Sequence, residues 1–290
     1  MPSLKSLLTG SDTLVLPGVF DGISARFAAE AGFPALYMTG YGSVASMLGM
    51  PDAGMASYGE MLDALRRIRG AAPALPLIAD GDTGYGGLLN VDRTVRGYEA
   101  AGAAGIQLED QEYPKKCGHT PGRRVIETAD AVRKLRVAVA ARDSADFLIV
   151  ARTDARTGQG LDAALRRGEQ FLAAGADILF IESPESIDEL ARIGETFQGA
   201  CLLANMVEGG RTPFCSAAEL TELGFRIGLY PASGFLAAAG ALTTVYRQLR
   251  ETGSSNGAAT PMLPFATMNR VMGFPGVDAF DRQWAERGAA

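Results

Sequence analysis

Apolar residues along this chain come in runs rather than in alternation, and many of the runs follow a stretch with helical spacing. RFAAEAGFPALYMTG (26 to 40), YEAAGAAGIQLED (98 to 110), FLAAGADILFIES (171 to 183) and LTELGFRIGLYPA (220 to 232) repeat one phrase: helical segment, glycine, apolar run. The glycine stands where a helix C-terminus favours a left-handed residue, and the run after it is long enough for a strand but too short for a helix. Further apolar runs, TLVLPG (13 to 18), LPLIADGD (75 to 82), DFLIVARTD (146 to 154) and ACLLANM (200 to 206), fill the gaps. Strands are therefore expected near residues 15, 36, 78, 107, 149, 179, 203 and 228, each followed by a helical stretch. Continuous apolar character means burial on both faces, as in a parallel sheet.

Eight such units fit an α/β chain closed into a (β/α)8 TIM barrel. A doubly wound open sheet is the competing arrangement, but no GxGxxG follows the first strand, so its usual phosphate fingerprint is missing. The length of 290 residues allows one domain or two, since barrels commonly run to about 250 residues as one unit. The barrel is assigned to residues 1–252. Residues 253–290 open with the polar SSNGAATP and continue as a helical tail with apolar residues that need a surface, on this barrel or on a neighbouring subunit.

Composition narrows the class without naming a chemistry. Apolar residues make up 47% and charged residues 21%, ordinary for a globular protein. The net charge of −6 argues against a nucleic-acid partner, which would need a clustered basic face. No run approaches the roughly 18 apolar residues of a membrane span. The first twenty residues are broken by Thr9, Gly10, Ser11 and Asp12, too polar for a secretory leader. Three cysteines, at 117, 201 and 215, match no zinc spacing, and the chain reads as cytoplasmic and reduced.

Barrel chemistry gathers at the C-terminal strand ends. Those ends carry Tyr37 and Thr39, Asp80 and Asp82, Glu109 and Asp110, Arg152 and Asp154, Glu182, Asn205, and Pro231 and Ser233. A ring of carboxylates in a poorly solvated mouth repels itself unless a cation compensates it. Oxygen donors without histidine suggest a hard ion such as Mg²⁺, with Asp80, Asp82 and Glu109 as contacts; the plainer alternative has individual acids capping helices or pairing with Arg152. The GDTGYGG loop, 81 to 87, either cradles a ligand with backbone N–H groups or simply turns sharply.

EDQEYPKKCGHTPGR, 109 to 123, holds two of the four lysines and the only histidine. A thiol surrounded by cations becomes a usable acid or base near neutrality, and Lys115, Lys116, His119 and Arg123 stand within a few residues of Cys117. A solvated basic loop with an incidental cysteine is the alternative.

With KKCGH and ADGDTGYGG both present, the chain resembles the isocitrate lyase / phosphoenolpyruvate mutase superfamily from about residue 10 to 250. The resemblance implies a barrel that assembles as a homotetramer with its C-terminal helix exchanged between subunits. It implies Mg²⁺, with Mn²⁺ as a substitute, held by Asp80, Asp82 and Glu109, with Asp52 in support. It implies that Tyr37, Thr39, Gly40 and Tyr41 grip an α-keto carboxylate, with Arg152 opposite. Cys117 matches the catalytic thiol and Lys115 its partner, on a loop that closes over substrate; Gly118, His119, Arg123, Glu182 and Asn205 match pocket residues.

The implied reaction is carbon-carbon cleavage of a 2-hydroxy di- or tricarboxylate, of the 2,3-dimethylmalate or 2-methylisocitrate type, to an α-keto acid such as pyruvate plus a carboxylate. Phosphonate mutase, oxaloacetate decarboxylase and a non-catalytic keto-acid-binding barrel are the alternatives. Thr39 and Tyr41 depart from the commoner residues at their positions, and MVEGG after Asn205 departs from true isocitrate lyases.

Overall fold

The computed structural model describes residues 2–287. Eight parallel strands close into a barrel in sequence order: β1 (Leu14–Val19), β2 (Leu36–Met38), β3 (Leu77–Asp80), β4 (Gly105–Glu109), β5 (Leu148–Thr153), β6 (Ile178–Ile181), β7 (Leu202–Asn205) and β8 (Ile227–Tyr230). Every expected strand position falls within one of them. The ring closes where Leu14, Val15, Leu16 and Pro17 of β1 pair with Ile227, Gly228, Leu229 and Tyr230 of β8.

The period of two sorts each strand between two cores. Leu16, Tyr37, Ile78, Leu148, Val150, Ile178, Phe180, Leu203, Ile227 and Leu229 fill the lumen. Their sequence neighbours, among them Ala79, Ile106, Ile149, Ala151, Leu179 and Leu202, face the surrounding helices. Carrying the lumen parity one step further along each strand gives Asp80 after Ile78, Arg152 after Val150, Glu182 after Phe180 and Asn205 after Leu203. The register of the barrel thus stacks a charged layer directly on an apolar one.

The N-terminal end of the lumen is stopped by a short helix, Leu4–Leu7, whose Leu4 is buried in the lumen cluster with Leu7 and Leu8 against it. Arg226, just before β8, donates to the carbonyls of Leu8 and Ser11 and pins this segment. The amino-terminal apolar run is therefore a plug.

Beyond β8 the long helix Ser233–Thr252 has no fully buried residue, and Leu242, Tyr246 and Leu249 are exposed along it. The helix Phe265–Met272 docks on this chain's own helix Gly22–Glu30: Arg270 pairs with Glu30 at 2.6 Å and Arg26 donates to the carbonyl of Val271 at 3.2 Å. The last helix, Phe274–Arg287, leaves Phe274, Val277 and Phe280 exposed. Part of the tail packs on its own barrel, and part presents an apolar face.

Candidate active site

A cavity of about 270 Å³ opens at the C-terminal end of the barrel, lined by strand-end residues, the segment 115 to 120 and the start of the Ser233–Thr252 helix. Gln107 and Glu109 line its floor, and beside them Asp80 accepts from the backbone N–H of Asp82 at 3.0 Å and from Gln107 Nε2 at 3.4 Å. Gln107 in turn accepts from the Tyr37 hydroxyl at 2.6 Å. Gln107 shares lumen parity with Glu109, so period-two reading of β4 would have found it. Asp82 holds a left-handed φ of 48°, which turns its carboxylate back toward the site.

Lys115 reaches into this acidic floor. Its Nζ lies 2.5 Å from Asp52 Oδ1 and 2.6 Å from Asp82 Oδ1, and all three side chains are nearly inaccessible. Burial alone would lower the ammonium's pKa, but the fields of Asp82, Glu109, Asp52 and Asp80 outweigh it and hold the lysine well above its ordinary value. Asp82, raised mainly by burial, titrates at about 6 even with Lys115 beside it. Glu109 is pushed well above the ordinary carboxylate range by burial, which the nearby Arg152 only partly offsets.

Arg152 is the hub of the opposite side. It donates two hydrogen bonds to Asp154, at 3.0 and 2.9 Å, and lies 3.3 Å from Glu182 Oε2 and 3.5 Å from Glu109 Oε2. Its guanidinium stands 5.2 Å over the Phe180 ring. Asp110 has the opposite strand parity and serves the scaffold, whereas Asp154 shares the parity of Arg152 and orients its guanidinium. Asp110 accepts from Thr153 at 2.7 Å and from Arg167 at 3.0 Å, while Arg123 pairs with Asp154.

The loop carrying Cys117 is folded down over the mouth. Cys117 N–H donates to the Asp52 carbonyl at 3.1 Å, and Ser183 Oγ donates to the Gly118 carbonyl at 3.0 Å. Arg123 ties the loop's far end to Asp154 and, at 2.6 Å, to Thr157. A methyl group at Gly118 would come within 2.5 Å of both Arg152 Nη2 and Glu182 Oε2, so this closure needs glycine.

His119 accepts from the Arg211 backbone N–H at Nδ1, 3.1 Å away, which leaves the proton of the neutral ring on Nε2, facing Glu182 Oε1 at 3.6 Å. Burial lowers its pKa, so the ring is neutral at pH 7.

The sequence-based expectation of a cationic field around Cys117 is corrected here. Lys115 is drawn to Asp52 and Asp82 rather than to the thiol, Lys116 is exposed, Arg123 belongs to Asp154, and His119 is uncharged. Burial pushes the Cys117 thiol upward, opposed by the N–H of His119 directed at the sulfur. At neutral pH the group is a protonated thiol, an acid rather than a nucleophile.

The helix Gly40–Leu48 begins at the cavity with Thr39 at its N-cap, and the Thr39 hydroxyl is buried without a hydrogen-bond partner. The unpaired N–H groups of that first turn and this hydroxyl form a ready anion seat. Gly40 packs so close to Asp80 that an added Cβ would sit 2.5 Å from Oδ2. Tyr41 is half exposed at the rim, and Asn205 donates to Glu182 at 3.1 Å.

Among the described residues no three His, Cys, Asp or Glu side chains form a ready metal cage, so Asp80, Asp82, Glu109 and Asp52 are not preassembled as ligands; the Lys115 ammonium stands between two of them. The residues nonetheless fit a hard divalent ion. Glu109 Oε1 is buried with no hydrogen-bond partner, and Mg²⁺ needs only one or two protein carboxylates beside water and substrate.

Lys134 was not anticipated, because it comes from a helix, Thr128–Ala141, rather than a strand end. It donates to the Thr83 carbonyl at 2.9 Å and borders a void of about 10 Å³ behind Glu109, space for one water molecule.

A closed parallel barrel whose charged groups gather at the C-terminal rim beneath a folded loop defines a (β/α)8 enzyme. The chain belongs to the phosphoenolpyruvate phosphomutase family, whose model matches residues 4–250. It is 45% identical over 282 residues, 97% of each chain, to a 2,3-dimethylmalate lyase of Eubacterium barkeri. It superposes on oxaloacetate acetylhydrolase bound to 3,3-difluorooxalacetate with a TM-score of 0.93, 36% identity, and 98% and 96% of the two chains covered. On phosphonopyruvate hydrolase in complex with oxalate and Mg²⁺ the TM-score is 0.86, with 27% identity and 97% and 98% covered. Among the described residues no helix is long and apolar enough to cross a membrane.

Proposed function

We propose that this protein is a divalent-metal-dependent carbon-carbon lyase that cleaves a 2-hydroxy dicarboxylate of the 2,3-dimethylmalate or 2-methylisocitrate type to an α-keto acid, such as pyruvate, and a carboxylate. The observation that carries this reading is a half-buried thiol, Cys117, on a loop folded over the same cavity that Glu109 and the Thr39 anion seat line. Similarity to the dimethylmalate lyase and to the Mg²⁺-bound hydrolase supports it.

Asp80 and Glu109, with Asp82, would hold Mg²⁺ (or Mn²⁺), and Asp52 would support them through Lys115. When bound, the ion would draw the substrate's hydroxyl and adjacent carboxylate together and ease loss of the hydroxyl proton. The Gly40 and Tyr41 N–H groups and the Thr39 hydroxyl hold the carboxylate that becomes part of the keto acid. The hydroxyl proton passes to the acidic floor, and the bond between the hydroxyl-bearing carbon and its neighbour breaks. The electron pair left on the neighbour takes the Cys117 proton, while Arg152, oriented by Asp154 and Phe180, balances the charge developing there. His119, Asn205 and Glu182 fix the far wall, and Gly118 and Arg123 let the loop seat.

Purified protein incubated with Mg²⁺ and a panel of substituted malates and 2-methylisocitrate should release pyruvate, measured by coupled reduction with NADH. Absence of a keto acid from every panel member refutes the lyase. Cys117→Ser should lower kcat by about 10² to 10⁴-fold, the usual worth of a positioned acid, with Mg²⁺ affinity by calorimetry unchanged.

The family description itself favours one alternative, a phosphonate mutase. Phosphorus NMR with phosphonopyruvate separates the two, since a migrating phosphoryl group gives Cys117 no carbon to protonate.

The same reading makes the protein a homotetramer in which the exposed apolar face of the Phe274–Arg287 helix covers a neighbouring barrel, and light scattering tests the subunit count. Three free cysteines suit a cytoplasmic, reducing location.

A further inference from the structure

The cavity has two unlike sides. Four basic side chains line the cavity, Lys115, Lys116, Arg152 and His119; all stand on the floor or the closing loop, and all but the exposed Lys116 already face a carboxylate. The other side is built by Pro231, Ala232, Phe235 and Leu236 at the end of β8 and the start of the following helix, faced by Tyr41. Its rings are mutually braced: Phe235 lies 5.3 Å from Tyr41 and 5.8 Å from Phe20, centroid to centroid. Lysine, arginine and histidine are absent from this wall among the residues lining the cavity, and the carboxylate there is Glu208, which accepts from the Ser233 hydroxyl.

We propose that this wall reads the substituent on the carbon that Cys117 protonates and selects an uncharged alkyl group there, making the substrate a 2,3-dialkylmalate rather than a tricarboxylate. The inference rests on the lyase reading and sharpens it. The anion seat at Thr39 and the acidic floor fix the hydroxy-acid end, so the substituent on the neighbouring carbon is left to the apolar wall. A methyl group there only loses contact with water. A carboxymethyl group would bring a second anion against Phe235 and Leu236, where the wall itself offers no cation and Glu208 repels it.

The two acids that separate these cases differ only in that substituent: methyl in 2,3-dimethylmalate, carboxymethyl in 2-methylisocitrate. With Mg²⁺ and wild-type protein, kcat/KM should favour 2,3-dimethylmalate by about 100-fold or more, in line with what a pocket built for one group achieves against another. Glu208→Gln keeps an acceptor for Ser233 and removes the charge. Leu236→Lys places a cation at a position 44% exposed, where folding does not depend on the leucine. Each should narrow the ratio by roughly tenfold, through gain on the tricarboxylate.

Equal or preferred turnover of 2-methylisocitrate by the wild type, or a ratio that neither variant moves, overturns the proposal while leaving a lyase in place. If neither acid yields a keto acid, the lyase reading falls and the wall is judged by calorimetric Kd values for the two acids with Mg²⁺. Tenfold tighter binding of the dimethyl acid then supports it; equal or reversed affinities overturn it.

Discussion

Cys117 sits between Lys116 and Gly118, yet what its sulfur meets is burial, the His119 N–H, and the opposed fields of Asp52 and Arg152. Its pKa lies above the ordinary thiol value, so little thiolate exists at neutrality. Iodoacetamide should therefore alkylate Cys117 more slowly at pH 7.5 than a free cysteine peptide of pKa about 8.5, with the rate still climbing at pH 9, as peptide mass spectrometry would show. Faster labelling than the peptide would mean an activated thiolate and a different chemistry. Gly118 makes a second test at this scale. Gly118→Ala forces a methyl group against Arg152 and Glu182, so kcat/KM should fall by about 10²-fold or more. The melting temperature should barely move, because the clash is relieved simply by the loop lifting.

At the scale of elements, strand parity explains what could be read in advance. Asp80, Arg152, Glu182 and Asn205 follow apolar lumen residues at a spacing of two, so the sequence pattern that buries Ile78, Val150, Phe180 and Leu203 also aims the site residues. Neighbours in sequence were a poor guide where the chain leaves regular structure. Lys115 and Lys116 are adjacent, but one is buried among Asp52 and Asp82 and the other points to solvent, a division that depends on how a loop folds back across more than sixty residues. Lys134 and Glu208 were invisible for the same reason: their relevance comes from packing, not from a period. The plug helix is likewise decipherable only once the barrel is closed. Leu4→Ala should cost about 2 to 5 kcal/mol of stability, the range for a buried leucine, while kcat stays near wild type because the plug lies at the opposite end from the chemistry. Denaturant unfolding and the pyruvate assay check the two halves of that statement.

For the whole molecule, the acidic floor ties stability to pH and to metal together. Asp82 titrates at about 6, above its ordinary 3.8, so the folded protein binds this proton more tightly than the unfolded chain does. Without metal, its contribution to stability is therefore lost as pH rises from about 3.8 through about 6. A divalent ion competes with those protons, so Mg²⁺ should raise the melting temperature more at pH 7.5 than at pH 5.5. At a hundredfold excess over Kd the stabilisation would be about 2.7 kcal/mol, and a shift independent of pH would remove these carboxylates from the metal site.

The plug at the base of the barrel also bears on traffic. With Leu4 and its neighbours sealing one end of the barrel among the described residues, the cavity opens at the other end, where the Cys117 loop lies. Reactant then comes in, and both fragments go out, past that segment, so they queue. Turnover should then slow in proportion as glycerol thickens the solvent, whereas a reaction limited by bond breaking would ignore it.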